Sequence, residues 1–264
     1  MMANCPLWEE NLRAKNRAAI QLRLKAFKAT SWESEEYADL QLNIYSRCYH
    51  GCKYGTDERC YNGDKFDNWE TEIFEKASLE NIEHDLRLLA FYGERPRIHI
   101  TFIADPYDMG RKDNSYIRKV LELFRKYCHP FQILTKGGTK AAADFVIYGP
   151  NDWFGCTLTF DNDADSKEWE PGAALPADRI EALRQAHERG IKTWVSLEPV
   201  IDPAQSLHLI DLTHEFVDFY GVGKLNHNPE LEKTIDWRKY RADAEAKLKG
   251  YDKQYMIKRS LRRA

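Results

Sequence analysis

The chain has 264 residues, 43% hydrophobic and 31% charged, with a formal net charge of −3. That balance is ordinary for a folded chain and allows one large core or two small ones, while no apolar run nears the ~20 residues of a membrane span. Six cysteines are too few for a disulfide framework at this length. The opening Met-Met-Ala-Asn-Cys-Pro also lacks the charged-then-apolar layout of a secretion signal. The expectation is a cytoplasmic protein, without membrane contact, whose clustered thiols serve metal or redox chemistry.

In chain order, a charged helix is expected over about Leu7 to Lys28, and residues 11–28 carry a charge of +6 with no acid. "LQLNIYS" then reads as a short strand ending before Cys48. "ASLENIEHDLRLLAFYG" has helical spacing, and "RIHITFIA" is a strand. "NSYIRKVLELFRKYC" is an amphipathic helix with Ile117, Val120, Leu121 and Phe124 on one face. "FQILT" is a strand and "GTKAAADFVIYG" a short helix. "FGCTLTF" is a strand, followed by the helix "PADRIEALRQAHERG" closed by Gly190. "IKTWVSLEPV" and "VDFYGVGKL" are two further strands around the helix "SLHLIDLTHEF". The end of the chain reads as a basic helical tail, with a charge of +7 over residues 238–264.

About six β-α units in succession predict a parallel sheet of the α/β class. In barrel-like α/β folds the chemistry sits where strands give way to the following loops. Special residues fall at those places: Cys48, then Asp105, Lys136, Thr159 and Glu198, one after each successive strand. Division into 1–39 (N-terminal helical extension), 40–228 (α/β body) and 229–264 (basic helical tail) follows.

The loop "CYHGCKYGTDERCY" holds Cys48, Cys52 and Cys60, half of the chain's cysteines. Three thiolates on one loop suit zinc, or three irons of a cubane cluster with the fourth iron left open. Cys5, Cys128 and Cys156 are scattered and read as packing residues. Lys136-Gly137-Gly138 is not a phosphate loop, because its lysine precedes the glycines. Gly221-Val222-Gly223 lacks the third glycine of a dinucleotide fingerprint and reads as close packing. His208, His214 and His227 show no metal-ligand spacing and read as surface or satisfied histidines.

"NIYSRCYHGCKYGTDERCY" resembles the cluster loop of the radical S-adenosylmethionine superfamily, in the branch of spore photoproduct lyase and related "DNA repair photolyase"-like proteins. Asn43, Tyr45, Cys48, His50, Gly51, Cys52, Lys53 and Tyr54 follow the family pattern. Gly55 stands where the family has its third cysteine. Either Gly55–Arg59 is an insertion and Cys60-Tyr61 restores the Cys-Tyr ending, or the third ligand is lost. "ITFIADPYDMG", "ILTKGG" and the stretch from "EWEPGAAL" to "SLEPVIDP" resemble further family segments in the family's order.

The resemblance implies a partial (β/α)6 barrel of TIM type. It implies a 4Fe-4S cluster on Cys48, Cys52 and Cys60, with S-adenosyl-L-methionine on the open iron. Tyr54, Asp105, Lys136, Thr159 and Glu198 would then surround that cofactor. An electron donor such as flavodoxin or ferredoxin is implied, and a nucleic-acid base or nucleotide is the expected substrate. Enzymes that repair spore photoproduct carry a hydrogen-donating cysteine near the end of the second barrel strand; "ITFIADPY" holds none. Two alternatives stand beside this reading. One is a zinc-stabilised nucleic-acid-binding module using Cys48, Cys52, Cys60 and His50; the other is a cluster-free barrel acting as a scaffold.

Overall fold

The computed structural model describes residues 23–30, 36–56, 60 and 73–264. Its centre is an open eight-stranded sheet whose strands follow one another in chain order. They are β1 (Lys28–Ala29), β2 (Leu40–Gln41), β3 (Ile98–Ile100), β4 (Phe131–Thr135), β5 (Trp153–Thr157), β6 (Lys192–Leu197), β7 (Phe219–Val222) and β8 (Gln254–Ile257). β1 pairs antiparallel with β2, and every later pairing is parallel. The expected α/β partial barrel is the fold observed.

Parallel neighbours need long crossovers, and helices supply them. α1 (Leu79–Phe91) starts at Ser78, whose side chain accepts from Asn81 N, and buries Ile82, Leu86 and Leu89. α2 (Ser115–Lys126) buries the predicted stripe of Ile117, Val120, Leu121 and Phe124. The stretch Gly138–Ile147 is a 3-10 run, so "GTKAAADFVIYG" forms a tighter helix than expected. A short α3 (Asp163–Trp169) has no counterpart in the sequence reading. α4 (Pro176–Glu188) and α5 (Pro203–Thr213) lie as predicted, each with proline in its first turn. Ile98, Ile100, Phe131, Ile133, Phe154, Cys156, Val195, Leu197, Tyr220 and Val222 form the buried core of the sheet. Cys156 is therefore the packing residue expected of it, Cys128 is exposed, and Cys5 lies outside the described residues.

Both ends of the chain depart from expectation. Most of the predicted N-terminal helix lies outside the described residues, and Arg23–Ala29 forms a turn leading into β1. The Asp85 carboxylate holds that entry, accepting from the backbone N–H of Lys25, Ala26 and Phe27 at 2.7–3.0 Å. The segment 229–264 is no helical tail. After α6 (Pro229–Glu232) and α7 (Trp237–Gly250), β8 joins the sheet beside β7, and α8 (Arg259–Arg262) follows. α7 packs Tyr240, Ala244 and Leu248 into the core, which makes room for one more β-α unit beyond residue 228.

Candidate functional site

A cavity of about 310 Å³ opens at the C-terminal ends of the parallel strands. It collects Thr101 and Asp105 beyond β3, Lys136 beyond β4, Thr157 from β5, Glu198 beyond β6, Asn226 beyond β7 and Lys258 beyond β8. The cysteine loop covers it from one side with Cys48, Cys52 and Cys60. Residues 57–59 lie outside the described residues. Cys60 shares the cavity wall with the other two thiols.

The loop is seated by backbone contacts that its glycines permit. Gly51 has φ +62, in the left-handed region, between Cys48 and Cys52. Gly172 N–H donates to His50 O at 2.8 Å, and a Cβ on Gly172 would come within 2.5 Å of Tyr49 O. Lys53 N–H donates to Trp169 O at 2.9 Å, and Tyr49 N–H to Asp108 Oδ2 at 2.5 Å. His50 Nε2 accepts from Met109 N–H at 3.3 Å, and its Nδ1 stands 3.6 Å from Asp105 Oδ2. Burial lowers the His50 pKa against the pull of Asp105 and Asp108. His50 therefore props the loop as a neutral ring and faces carboxylates.

Asp105 ties the β3 end to the β4 end. Its Oδ1 accepts from Tyr107 N–H at 2.8 Å and Thr135 Oγ1–H at 2.5 Å, and its Oδ2 from Lys136 N–H at 2.6 Å. Every oxygen is engaged, so Asp105 shapes the cavity wall.

Behind the thiols lies a buried charged network. Arg179 donates to Glu170 Oε2 at 2.6 Å, to Ala174 O at 2.7 Å and to Thr157 O at 3.1 Å. Glu170 Oε1 accepts from the Tyr54 hydroxyl and lies 3.8 Å from Lys136 Nζ. Thr159 Oγ1 reaches both Tyr54 and Glu170, at 3.3 and 3.4 Å. Thr159 thus sits behind the network, and Thr157 takes the place on the cavity wall. Burial raises the Glu170 pKa, but Arg179 and Lys136 outweigh it and hold it below the usual carboxylate range. Burial also pushes the Cys52 thiol up to about 12, with Lys136 opposing. Two cations against one carboxylate leave positive charge beside Cys52, which favours a thiolate once a metal is there to share it.

The rest of the wall includes Tyr37, His99, Phe102, Ser196, Glu198, Asn226, His227 and Lys258, and His227 O accepts from Thr56 N–H of the cysteine loop at 3.1 Å. Glu198 pairs with the Lys258 ammonium and accepts from Tyr37 O–H at 3.1 Å and Asn226 Nδ2–H at 3.3 Å. His227 lines the cavity, which its spacing in the sequence did not suggest. His208 pairs with Asp161 at 2.8 Å, and His214 stacks on Tyr251, as satisfied histidines do.

Sequence reasoning missed Glu170, Arg179, Tyr37, His99 and Lys258. Arg179 left a signal: it stands with Ala182, Leu183 and Ala186 on the buried stripe of α4, where an unpaired arginine has no place. The other four carry no comparable mark.

No three His, Cys, Asp or Glu side chains among the described residues converge on one metal ion. A four-ligand zinc site would need His50 to turn from Asp105 and Asp108 toward the cysteines. Cubane ligands bind different irons and need not meet at one point. Three thiols around one cavity, with a cation behind them, fit that donor set.

No family model matches the sequence. An uncharacterised protein of Methanocaldococcus jannaschii is 25% identical over 211 residues, covering 78% of this chain and 77% of that protein. Spore photoproduct lyase, solved with bound AdoMet and dinucleoside spore photoproduct, matches with a TM-score of 0.66 at 12% identity, over 97% of this chain and 87% of that one. Streptococcus suis SuiB bound to S-adenosylmethionine matches with a TM-score of 0.58 at 15% identity, over 82% of this chain. This chain spans 45% of that SuiB chain. Such identities carry the fold alone: the chain has the partial-barrel fold seen in spore photoproduct lyase and SuiB.

Proposed function

We propose that the protein is a radical S-adenosylmethionine enzyme whose 4Fe-4S cluster is held by Cys48, Cys52 and Cys60. The observation that carries this reading is the convergence of those three thiols on a cavity at the strand ends, backed by Lys136, Arg179 and Glu170. When bound, the cluster and S-adenosylmethionine supply reductive cleavage to methionine and a 5'-deoxyadenosyl radical, which takes a hydrogen atom from the substrate. An electron from a flavodoxin- or ferredoxin-type donor completes the balance.

The chain's own residues bind, orient and exclude water. Lys136 and Arg179 offset the negative charge of the thiolates. Tyr54 and Thr159, locked by Glu170, fix the loop's far end against α3 and α4. Asp105 holds Lys136 in register with the cysteines. The Glu198–Lys258 pair forms part of the cavity wall beyond β6 and β8. A nucleic-acid base or nucleotide is the substrate class favoured, supported by the two basic segments and by the lyase structure with its bound dinucleoside. Spore photoproduct itself is disfavoured, since the stretch "ITFIADPY", residues 100–107, holds no cysteine.

Anaerobic reconstitution with iron and sulfide tests the proposal. About four irons and four sulfides per wild-type chain are expected, with most lost in Cys60→Ala, and 5'-deoxyadenosine forms on reduction with S-adenosylmethionine. Zinc in place of iron, or no metal in either protein, overturns it.

A further inference from the structure

Seven residues separate Cys60 from Cys52, so the place of the third thiol on the cavity wall depends on how that stretch is held. Its first four residues are pinned on two sides. On one side Lys53 N–H donates to Trp169 O, and the Tyr54 hydroxyl donates to Glu170. On the other side the chain meets the loop between β7 and α6. Tyr54 O accepts from Asn228 Nδ2–H at 3.4 Å. His227 O accepts twice from Thr56, from its N–H at 3.1 Å and from its Oγ1–H at 3.0 Å. Gly55, at the place of the family's third cysteine, is buried between these anchors and takes no part in the cavity wall.

The β7–α6 loop is a firm base for this contact. Asn226 Nδ2–H donates to Glu198 Oε1 at 3.3 Å, and Asn228 N–H donates to Glu232 Oε1 at 3.3 Å. Asn228 Oδ1 also caps α6, accepting from Leu231 N–H at 3.4 Å. His227 stands at φ +66, in the left-handed region that residues other than glycine seldom adopt. Such strain persists only where the surrounding contacts hold it. Cys60 comes four residues after Thr56. A chain spans at most about 3.6 Å per residue, so the contact confines the Cys60 Cα to within about 14 Å of the Thr56 Cα. Fastening Thr56 also shortens the stretch that must close on the cavity, which lowers its cost in chain entropy.

We propose that Thr56 and Asn228 are positioning residues for the displaced third thiol. They fasten the lengthened cysteine loop to the β7–α6 loop, so that Cys60, and not residue 55, is delivered to the cavity. Neither side chain lines the cavity, so both act through Cys60. The inference rests on the proposed function only in taking Cys60 as a cluster ligand.

The test uses the full chain, metal-free and reconstituted. Thr56→Val removes the hydroxyl donor at nearly constant shape. Asn228→Asp removes the donor to Tyr54 O and keeps a side-chain oxygen to cap α6. Iodoacetamide labelling of the metal-free chain is followed cysteine by cysteine by mass spectrometry. Each variant should speed Cys60 labelling about fivefold, the worth of one hydrogen bond, and the double variant more. Labelling of Cys52 and of the exposed Cys128 should not change. Reconstituted iron should fall in the double variant, and Thr56→Ser, which keeps the hydroxyl, should match the wild type in both assays. Thermal melting confirms that each variant folds. Cys60 labelling at the wild-type rate in the double variant overturns the inference, as does an equal rise at Cys52 and Cys60. Wild-type iron content in the double variant of an iron-binding protein overturns it too. Iron absent from the wild type sinks the radical reading alone, since labelling of the metal-free chain still decides the role of Thr56 and Asn228.

Discussion

The two walls of the cavity solve opposite problems. The thiol side is ionic: Glu170, Arg179 and Lys136 are buried together, and Arg179 spends its donors on one carboxylate and two carbonyls. The far side is neutral in sum, with the Glu198–Lys258 charge pair and the Tyr37 phenol that donates to it. A side that must hold thiolates needs surplus positive charge fixed in place. The contrast teaches that burial alone does not define a site; what counts is whether the buried polar groups are already satisfied.

The largest expected effect breaks the ionic wall. Arg179→Met strands Glu170 without its main partner and should cost about 3–5 kcal/mol of stability, read from the urea midpoint. Loss of iron binding should accompany it even where the variant still folds. An unchanged midpoint would mean that the network does not hold the loop. On the neutral wall, Lys258→Met removes one member of a less deeply enclosed pair and should cost about 1.5–3 kcal/mol, with iron content at the wild-type level. Iron loss in that variant would show that the two walls act as one unit.

The smallest effect is graded with pH. Burial holds the pKa of His99 and of His129 at about 3, below the ordinary value of 6.5. Between those values the unfolded chain binds more protons than the folded one, so stability rises with pH. The contribution is complete above about pH 6.5 and is lost as pH falls toward 3. Each histidine accounts for up to about 1.4 kcal/mol per pH unit in that window. Urea titrations of the wild type and His129→Gln across pH 4–7 should differ by one such slope, and identical slopes would contradict neutral burial.

Much of the frame was legible in the sequence. Alternating strand and helix patterns predicted the parallel sheet, and the stripe of Ile117, Val120, Leu121 and Phe124 lies where its spacing put it. Cys48, Asp105, Lys136 and Glu198 were found because each follows a strand, Cys52 because it shares the cysteine loop, and all five line the cavity. Thr159 followed the same logic but missed the wall by two residues, because β5 ends at Thr157. The last strand was illegible: "QYMI" is short, half exposed and set among basic residues, so it reads like a tail. Only its pairing with β7, together with the burial of α7, shows that it belongs to the sheet.

The sequence by itself determined the class of fold, the cysteine loop and the end of the sheet on which the chemistry sits. These depend on local periodicity and on short-range order along the chain. Tertiary structure decided which side chains meet. Tyr54 finds Glu170 across 116 residues of chain, and Lys258 finds Glu198 across 60. No local pattern marks such partners, because a buried ion pair is selected by the space and dielectric around it, and these exist only once the sheet has formed.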